Sequence, residues 1–278
     1  MLRVLDPGPL ATVQDLGRPG LAAYGVTASG AADRGALRLA NRLVGNDPGA
    51  AAIEATFGGL ALRAETPVLL ALGGAAVPLG GTARRVGLGI AFALRPGEWI
   101  ALGRPWRGLR TYVAVRGGIA VAPELGSRAT DVLGGIGPAP LAEGDVLPVG
   151  DDTAGDPPGV GPVPLPDPPA EVSLGIVAGP RDEWTEIERL VEARFAVGPV
   201  SDRIGVRLGG TVLPRRPGEL PPEGMVRGGV QLPPDGNPVL LGPDHPVTGG
   251  YPVVAVVVER DLDGIGQLRP GDSVRFHL

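Results

Sequence analysis

The chain has 278 residues, 43% of them hydrophobic, and a net charge of -5 with a pI near 5.2. An acidic chain without a long basic run is a poor ligand for a phosphate backbone, so we expect no nucleic-acid partner. The chain has no cysteine, and all 25 of its basic residues are arginine. These absences exclude a thiol nucleophile, a thiolate metal site, a Schiff-base lysine and a biotinyl-lysine on this chain.

The length favours two domains, because a single hydrophobic core rarely organises so many residues. Seven prolines between Pro157 and Pro169 indicate an extended linker. We therefore predict an N-terminal domain over residues 1–150, a Pro-rich linker over 151–170 and a C-terminal domain over 171–278. No signal-peptide pattern and no membrane-length apolar run occur, so we expect a cytoplasmic protein without a membrane partner.

Strands dominate the predicted elements. Residues Val86 to Leu94 alternate strictly between large apolar side chains and Gly or Ala, which is the period of a half-buried strand. Other short apolar runs predict strands at Val68–Leu72, Trp99–Leu102, Thr111–Val115, Val172–Val177, Val239–Leu241, Val253–Val258 and Val274–Leu278. Closely spaced strands with Gly/Pro turns predict a mainly β fold with a few helices, a β-rich α+β class built from barrel units.

Two helices are predicted. The first covers residues 33–44, where Asp33 can cap the N-terminus and Leu37, Ala40 and Val44 share one face. The second covers residues 181–194, with an apolar face and acidic residues near its N-terminal end.

One short sequence motif occurs three times, in residues 94–98, 141–145 and 268–272, each time ending in Gly followed by Glu or Asp. A glycine at this position suits a turn that needs a positive φ, so each copy predicts a turn that leads into a strand. Because a copy of this motif lies near the end of each half of the chain, it favours two β-rich domains of related construction. Chance recurrence of a common turn remains open.

The loop between two predicted strands, residues 244–252, combines Asp244, His245, Thr248, two glycines and Tyr251. His245 and Asp244 are candidate catalytic groups for moving protons. The amides of Gly249 and Gly250 could stabilise an oxyanion, and Thr248 and Tyr251 could bind substrate. The alternative for His245 is a loop histidine without a role. His277 receives no role, and two histidines make a metal site unexpected.

Two further clusters are candidates for anion binding. Ser29 and Gly30 precede the first helix and Arg34 opens it, so helix amides and a guanidinium could hold a substrate anion. Arg203 could bind a substrate carboxylate in a bidentate manner, with Asp202 as a catalytic-site residue that orients it. Ordinary helix capping and a structural salt bridge or Asx-turn are the respective alternatives.

A family resemblance rests on several segments in a fixed order. They are residues 13–20, 29–33, 40–46 with Glu54, 112–119, 125–127, 179–182, 201–205, 231–236 and 248–252. In this order they resemble the biotin-dependent carboxyltransferase family, also called allophanate hydrolase subunit 2. The chain departs from the family pattern at Gly137-Pro138, where an arginine usually follows the glycine. It departs again at Val247-Thr248, where two threonines are common.

The resemblance implies tandem cyclophilin-like β-barrel units and a partner similar to allophanate hydrolase subunit 1. Stand-alone bacterial members look like the C subunit of 5-oxoprolinase, an enzyme that opens 5-oxo-L-proline to L-glutamate with ATP and also has A and B subunits. This is the predicted function. The alternatives implied by the family are the carboxyltransferase subunit of a urea carboxylase-like biotin enzyme and a non-catalytic antagonist of a kinase inhibitor. We expect no cofactor on this chain alone: ATP would bind a partner subunit, and biotin would take part only in the carboxylase alternative.

Overall fold

The structure is a computed structural model that describes residues 1–82, 89–159, 162–164, 169 and 171–278. The described residues form two compact units. Unit 1 comprises Met1–Arg18, Ser29–Asp131 and Gly135–Pro168, and unit 2 comprises Pro19–Ala28, Val132–Gly134 and Pro169–Leu278. None of the helices in the described part of the chain has the length and hydropathy that a membrane-spanning segment requires.

Unit 1 consists of two five-stranded sheets and one helix. Its elements are β1 (Leu2–Pro7), β2 (Leu10–Gln14), α1 (Arg34–Leu43), β3 (Ala52–Thr56), β4 (Leu60–Ala64), β5 (Val68–Gly74), β6 (Leu79–Gly81), β7 (Phe92–Leu94), β8 (Trp99–Leu102), β9 (Arg110–Val115) and β10 (Val146–Leu147). The sheet orders are β10-β1-β4-β8-β6 and β2-β3-β9-β5-β7. Alternating apolar residues from both sheets form one buried core, and the apolar face of α1 packs on a second one with β5 and β9.

Unit 2 is a closed barrel of seven strands with short helices outside it. Its elements are β11 (Glu171–Ala178), α2 (Ile187–Glu192), β12 (Phe195–Val197), β13 (Gly205–Gly209), β14 (Glu223–Gly224), β15 (Gly229–Gln231), β16 (Val239–Leu241), β17 (Thr248–Gly249), β18 (Val253–Val257), α3 (Leu262–Ile265) and β19 (Ser273–His277). The barrel order is β11-β18-β15-β16-β13-β12-β19. Closure leaves no free strand edge in the barrel. The mainly β fold with few helices and barrel construction is therefore confirmed.

The recurring sequence motif forms the same turn in all three copies. Gly97, Gly144 and Gly271 have φ of 86°, 91° and 92°. In each copy the following acidic side chain accepts a hydrogen bond from the amide three residues earlier, at 2.7, 2.8 and 3.0 Å. Each turn leads into a strand: β8, β10 or β19. The prediction of a turn with a positive-φ glycine is thus confirmed.

Helix α1 begins as predicted, because the Asp33 carboxylate accepts a hydrogen bond from the Ala36 amide at 2.8 Å. The prediction of one long second helix is wrong: the segment holds a 3-10 turn, Asp182–Trp184, and the short α2. Thr185 separates them in extended conformation. Residues 83–88 of the predicted alternating strand lie outside the described residues, and its remainder forms β7 only from Phe92.

The start of the predicted linker packs on unit 1. The amides of Ala154 and Gly155 donate to the Gly45 carbonyl, and the Asp152 amide donates to that of Gly117. Residues 160–161, 165–168 and 170 of the predicted linker lie outside the described residues. Further along the segment, the Val163 amide donates to the Gly89 carbonyl at 2.8 Å and its side chain packs against the core under α1. The described part of the Pro-rich segment is thus held to unit 1 by backbone hydrogen bonds.

Candidate functional site

The Arg203 guanidinium and the Asp244 carboxylate form a bidentate ion pair inside unit 2. Arg203 Nε and Nη2 lie 2.8 and 3.0 Å from the two Asp244 oxygens. Arg203 lies just before β13 and Asp244 just after β16, and these strands are antiparallel neighbours. The side chains are only 1% and 0% exposed. Strand pairing therefore brings together two charges that are 41 positions apart in the chain.

Backbone groups complete this ion pair. The Val132 amide donates to Asp244 Oδ2 at 3.1 Å, and the Asp244 amide donates to the Arg203 carbonyl at 3.2 Å. A buried carboxylate needs such donors, because burial without them would cost several kcal/mol. The pair is thus a rigid, desolvated frame directly before His245.

Asp202, the residue predicted to orient Arg203, accepts hydrogen bonds from the backbone. Asp202 Oδ1 accepts from the amides of Ile204 and Gly205 at 2.8 and 3.0 Å, which is an Asx-turn arrangement. Asp244, not Asp202, is the carboxylate that orients the guanidinium. Substrate capture by Arg203 stays a prediction, and two of its N–H groups already bind Asp244.

His245 lies next to the frame and is 9% exposed. Its Nδ1 is 2.8 Å from the Pro246 carbonyl oxygen, which can only accept. The hydrogen-bond pattern therefore assigns the proton of the neutral ring to Nδ1 and leaves Nε2 as the acceptor nitrogen. An imidazole fixed in this tautomer has the chemistry of a general base at Nε2.

The second half of the same loop is exposed. Thr248 and Gly249 form β17, which pairs with β14, whereas Gly250 and Tyr251 line a cavity of about 580 Å³. Tyr251 is 47% exposed. Since the residues lining this cavity do not include Arg203, Asp244 or His245, the structure divides the predicted loop into a buried charged part and an open part.

Unit 1 contains a second buried polar cluster, around Glu54 of β3. Glu54 Oε2 accepts from the Tyr112 phenol at 2.6 Å and from the Ala32 amide at 3.0 Å. The Asp33 amide donates to the Tyr112 oxygen at 2.8 Å. Arg110 Nε lies 3.2 Å from Glu54 Oε1, and both side chains are almost fully buried. These contacts fix the turn that precedes α1 against the sheet.

Burial raises the pKa of the Tyr112 phenol well above its usual value, and the negative charges of Glu54 and Asp33 raise it further. The phenol is therefore neutral across the physiological range and donates its proton to the Glu54 carboxylate. A carboxylate that receives hydrogen bonds from a phenol and an amide is stabilised in its charged form.

The predicted anion site before α1 is crowded. The amides of Ala32 and Asp33 already have acceptors in Glu54 and Tyr112. Ser29 has a φ of 52° and donates its hydroxyl proton to the Thr130 carbonyl at 3.2 Å. A side chain on Gly30 would come within 2.7 Å of the Gly17 amide nitrogen, so only glycine fits there. Substrate binding by Ser29, Gly30 and Arg34 stays a prediction.

The sequence alone assigns no role to Glu54, Tyr112 or Arg110. The signal that could have found them is a carboxylate between apolar residues of a short strand, because Glu54 is 1% exposed between Ile53 and Ala55 of β3. Such a group demands a buried partner. In the described part of the chain, no group of three or more His, Asp or Glu side chains has the arrangement of a metal site.

A family model for the carboxyltransferase domain, subdomain A and B, matches residues 24–278. The chain belongs to this carboxyltransferase-domain family. It is 36% identical to the C subunit of 5-oxoprolinase from Escherichia coli (strain K12), over 99% of this chain and 90% of that protein. It is also 32% identical to urea amidolyase of Lachancea kluyveri, over 98% of this chain but 16% of that protein.

The crystal structure of the Kluyveromyces lactis urea amidolyase contains a similar fold. The TM-score is 0.92 with 30% sequence identity, and the match covers 99% of this chain and 18% of that chain. The whole of this carboxyltransferase-domain chain thus corresponds to one part of a much longer protein, whereas it spans most of the length of its bacterial relative.

Proposed function

We propose that the chain is one subunit of an ATP-dependent 5-oxoprolinase that opens 5-oxo-L-proline to L-glutamate. The observation that supports this most is the 36% identity to the C subunit of the E. coli 5-oxoprolinase, which extends over nearly the full length of both chains. The similar protein of Haemophilus influenzae, 32% identical over 99% of this chain, has the same name.

The chemistry explains why such an enzyme needs several parts. The amide of a five-membered lactam is stabilised by resonance, so its carbonyl must be activated before water attacks it. Transfer of phosphate from ATP to the carbonyl oxygen provides that activation. This chain has no lysine and therefore no Walker-type phosphate loop, so we assign nucleotide binding to another subunit.

Within this proposal, His245 moves protons at the lactam or at the attacking water. Its Nδ1 donates to the Pro246 carbonyl and its neighbour Asp244 is held by Arg203. The backbone that carries the imidazole is therefore anchored next to a buried ion pair, which limits its movement. An oriented imidazole with an acceptor Nε2 is suited to general acid–base catalysis.

The partners are proteins similar to the A and B subunits of 5-oxoprolinase, the second of which resembles allophanate hydrolase subunit 1. The test combines the purified chain with both partners and measures ATP-dependent glutamate release. We expect release only when all three are present. Turnover of 5-oxoproline by the single chain contradicts the assignment, and so does an inactive but fully assembled complex.

A second candidate is the carboxyltransferase subunit of a urea carboxylase-like enzyme. It is favoured by the carboxyltransferase family model and by the similarity to urea amidolyase. Because this chain has no lysine to carry biotin, a biotinylated partner would have to supply the carboxyl group. Urea-dependent ATP consumption with such a partner, and none with 5-oxoproline, would support this candidate. A non-catalytic regulator would support neither reaction.

A further inference from the structure

The cavity beside Tyr251 has the size of a ligand site. It measures about 580 Å³ and lies between a strap, residues 214–220, and the Gly250–Tyr251 corner. Cavities of roughly 300–1,000 Å³ are typical of small-molecule sites. A second cavity of about 360 Å³ shares Pro234 and Tyr251 with it. Tyr251 therefore contributes to both, and neither cavity contains a residue of the Arg203–Asp244 frame.

Arg215, on the strap, is held in a fixed orientation at the cavity wall. Its Nε donates to the Leu232 carbonyl at 3.2 Å, and its two terminal nitrogens donate to Arg216 and Gly218 carbonyls at 3.3 and 3.2 Å. The guanidinium also stacks over Trp184, 4.9 Å from the ring centroid. A guanidinium has five N–H groups. Three have acceptors, so each terminal nitrogen keeps one N–H without an acceptor in the described chain.

The strap itself is attached to the barrel by other contacts. The Arg216 amide donates to the Trp184 carbonyl, and the Thr185 hydroxyl donates to the Pro214 carbonyl at 2.7 Å. The Arg215 side chain is therefore not the sole anchor of the strap. Its remaining donors sit on a planar cation that stays charged at every physiological pH, which suits a carboxylate.

The cavity wall also carries a negative charge, on Glu219. Glu219 lines it, is exposed, and has neither a hydrogen bond nor an ion pair with any described residue. Its carboxylate can only accept, whereas the Tyr251 phenol can donate and accept. The wall thus combines a cation with donors to spare, an anion that needs a donor, and a hydroxyl.

We propose that this cavity binds a small carboxylic acid that also carries an N–H donor, with the carboxylate on Arg215 and the N–H on Glu219. This rests on the proposed function and deepens it, because 5-oxoproline has both groups on one small ring. Tyr251 lines the same cavity and offers its hydroxyl as a further polar group. The predicted substrate-binding role of Gly250 and Tyr251 is thereby separated from the Arg203–Asp244 frame. His245 does not line the cavity, so the cavity holds the substrate before it reaches the group that moves protons.

The test is calorimetric titration of the full chain with three probes. They are 5-oxo-L-proline, 2-pyrrolidinone, which lacks the carboxylate, and cyclopentanecarboxylate, which lacks the N–H. Arg215→Ala should weaken 5-oxoproline and cyclopentanecarboxylate by about tenfold to a hundredfold, the range expected for a lost charge-assisted hydrogen bond. It should leave 2-pyrrolidinone unchanged. Glu219→Gln should weaken the two N–H probes and spare cyclopentanecarboxylate.

Arg216→Ala is the matched control, because it removes the same charge from the neighbouring exposed position and does not line the cavity. Equal weakening of all three probes by Arg215→Ala would indicate a distorted strap and overturn the carboxylate assignment. If Arg215→Ala does not fold, Glu219→Gln and Tyr251→Phe decide the question, since neither side chain anchors the strap. No binding of 5-oxoproline to the folded wild-type chain overturns the inference.

Kinetics in the assembled complex separate this inference from the proposed function. Arg215→Ala should raise KM for 5-oxoproline by the same factor with little change in kcat. A wild-type KM in an active complex overturns the cavity inference and leaves the function intact. Absence of glutamate release from the wild-type complex overturns the function, while the three-probe titration still tests the cavity.

Discussion

Arg203 and Asp244 are a buried pair whose two members depend on each other. Removing one partner of such a pair leaves an uncompensated charge, which costs roughly 3–5 kcal/mol. We therefore expect Arg203→Ala to lower the free energy of unfolding by about that amount. Arg203→Lys should be nearly as damaging, because an ammonium cannot reproduce the two parallel hydrogen bonds to Asp244.

Guanidinium denaturation measures this difference, with Arg207→Ala as the control. Arg207 is exposed on β13, so its substitution should change the free energy of unfolding by no more than about 0.5 kcal/mol. An Arg203→Lys variant with wild-type stability and a raised KM for 5-oxoproline would instead assign Arg203 to substrate capture.

His245 and His277 form a natural comparison, because they are the chain's two histidines. Loss of a general acid or base typically lowers kcat by ~10²–10⁴. We expect His245→Ala to show a loss of this size in the assembled complex, with an unchanged circular dichroism spectrum. His277 is exposed on β19 and contacts Ser173 Oγ through Nδ1 at 3.0 Å. Its replacement by Ala should leave kcat unchanged, and equal effects of both variants would remove the catalytic role of His245.

Tyr112 links the stability of unit 1 to alkaline pH. Its pKa in the folded chain is raised above the ordinary value of 10.0, mainly by burial. The folded state therefore holds this proton more tightly than the unfolded state. The contribution to stability is fully present below pH 10 and is lost as the pH rises from there towards the folded pKa. The chain has no lysine or cysteine, so tyrosines are the side chains that ordinarily titrate near this pH.

Tyr112→Phe should reduce the fall of unfolding free energy above pH 10. At neutral pH the same variant should be less stable by about 1–3 kcal/mol, because Glu54 and the Asp33 amide lose a buried partner. Denaturant unfolding across the alkaline range measures both effects. A parallel decline of the two proteins above pH 10 would show that Tyr112 ionises freely in the folded chain.

At the scale of elements, the three Gly-acid turns were predictable because their signal is local. A glycine with positive φ and an acidic side chain that caps its own turn need no distant partner. Helix α1 was predictable for the same reason, since Asp33 caps it from within the turn. The sequence predicts too long a second helix, because the apolar spacing continues across Thr185, which the structure holds extended.

Two glycines of unit 1 distinguish the energetic cost of a positive φ from the cost of a steric clash. Gly144 and Gly117 have φ of 91° and 92°. An added Cβ would meet nothing within 4 Å at Gly144, but would lie 1.9 Å from the Gly150 carbonyl oxygen at Gly117. Gly144→Ala should cost about 1–2 kcal/mol from conformation alone. Gly117→Ala should cost about 1–3 kcal/mol more, because the backbone must move. Equal losses in denaturant unfolding would show that unit 1 absorbs the clash.

At the scale of the whole molecule, the two largest hydrophobic cores of the described residues lie in different units. One joins the sheets of unit 1 and the other fills the barrel of unit 2. The Pro-rich segment predicts a division into residues 1–150 and 171–278. The structure also assigns Pro19–Ala28 and Val132–Gly134 to unit 2, and Val132 contributes an amide to the Asp244 carboxylate. Local composition does not predict that these two short segments belong to unit 2, because the assignment depends on which residues they contact.

The sequence by itself determined the mainly β class, the positions of several strands, the first helix and the repeated turns. These features depend on side-chain period and on the φ that glycine allows, and both act over a few residues. The tertiary structure decided which charges meet. Arg203 pairs with Asp244, 41 positions away, rather than with its neighbour Asp202. Glu54 accepts a hydrogen bond from Tyr112, 58 positions away. Such pairs are set by strand register and barrel closure, which arise only when distant strands align, so the division of the Asp244–Tyr251 loop into a buried half and a cavity wall could not be deduced from its residues.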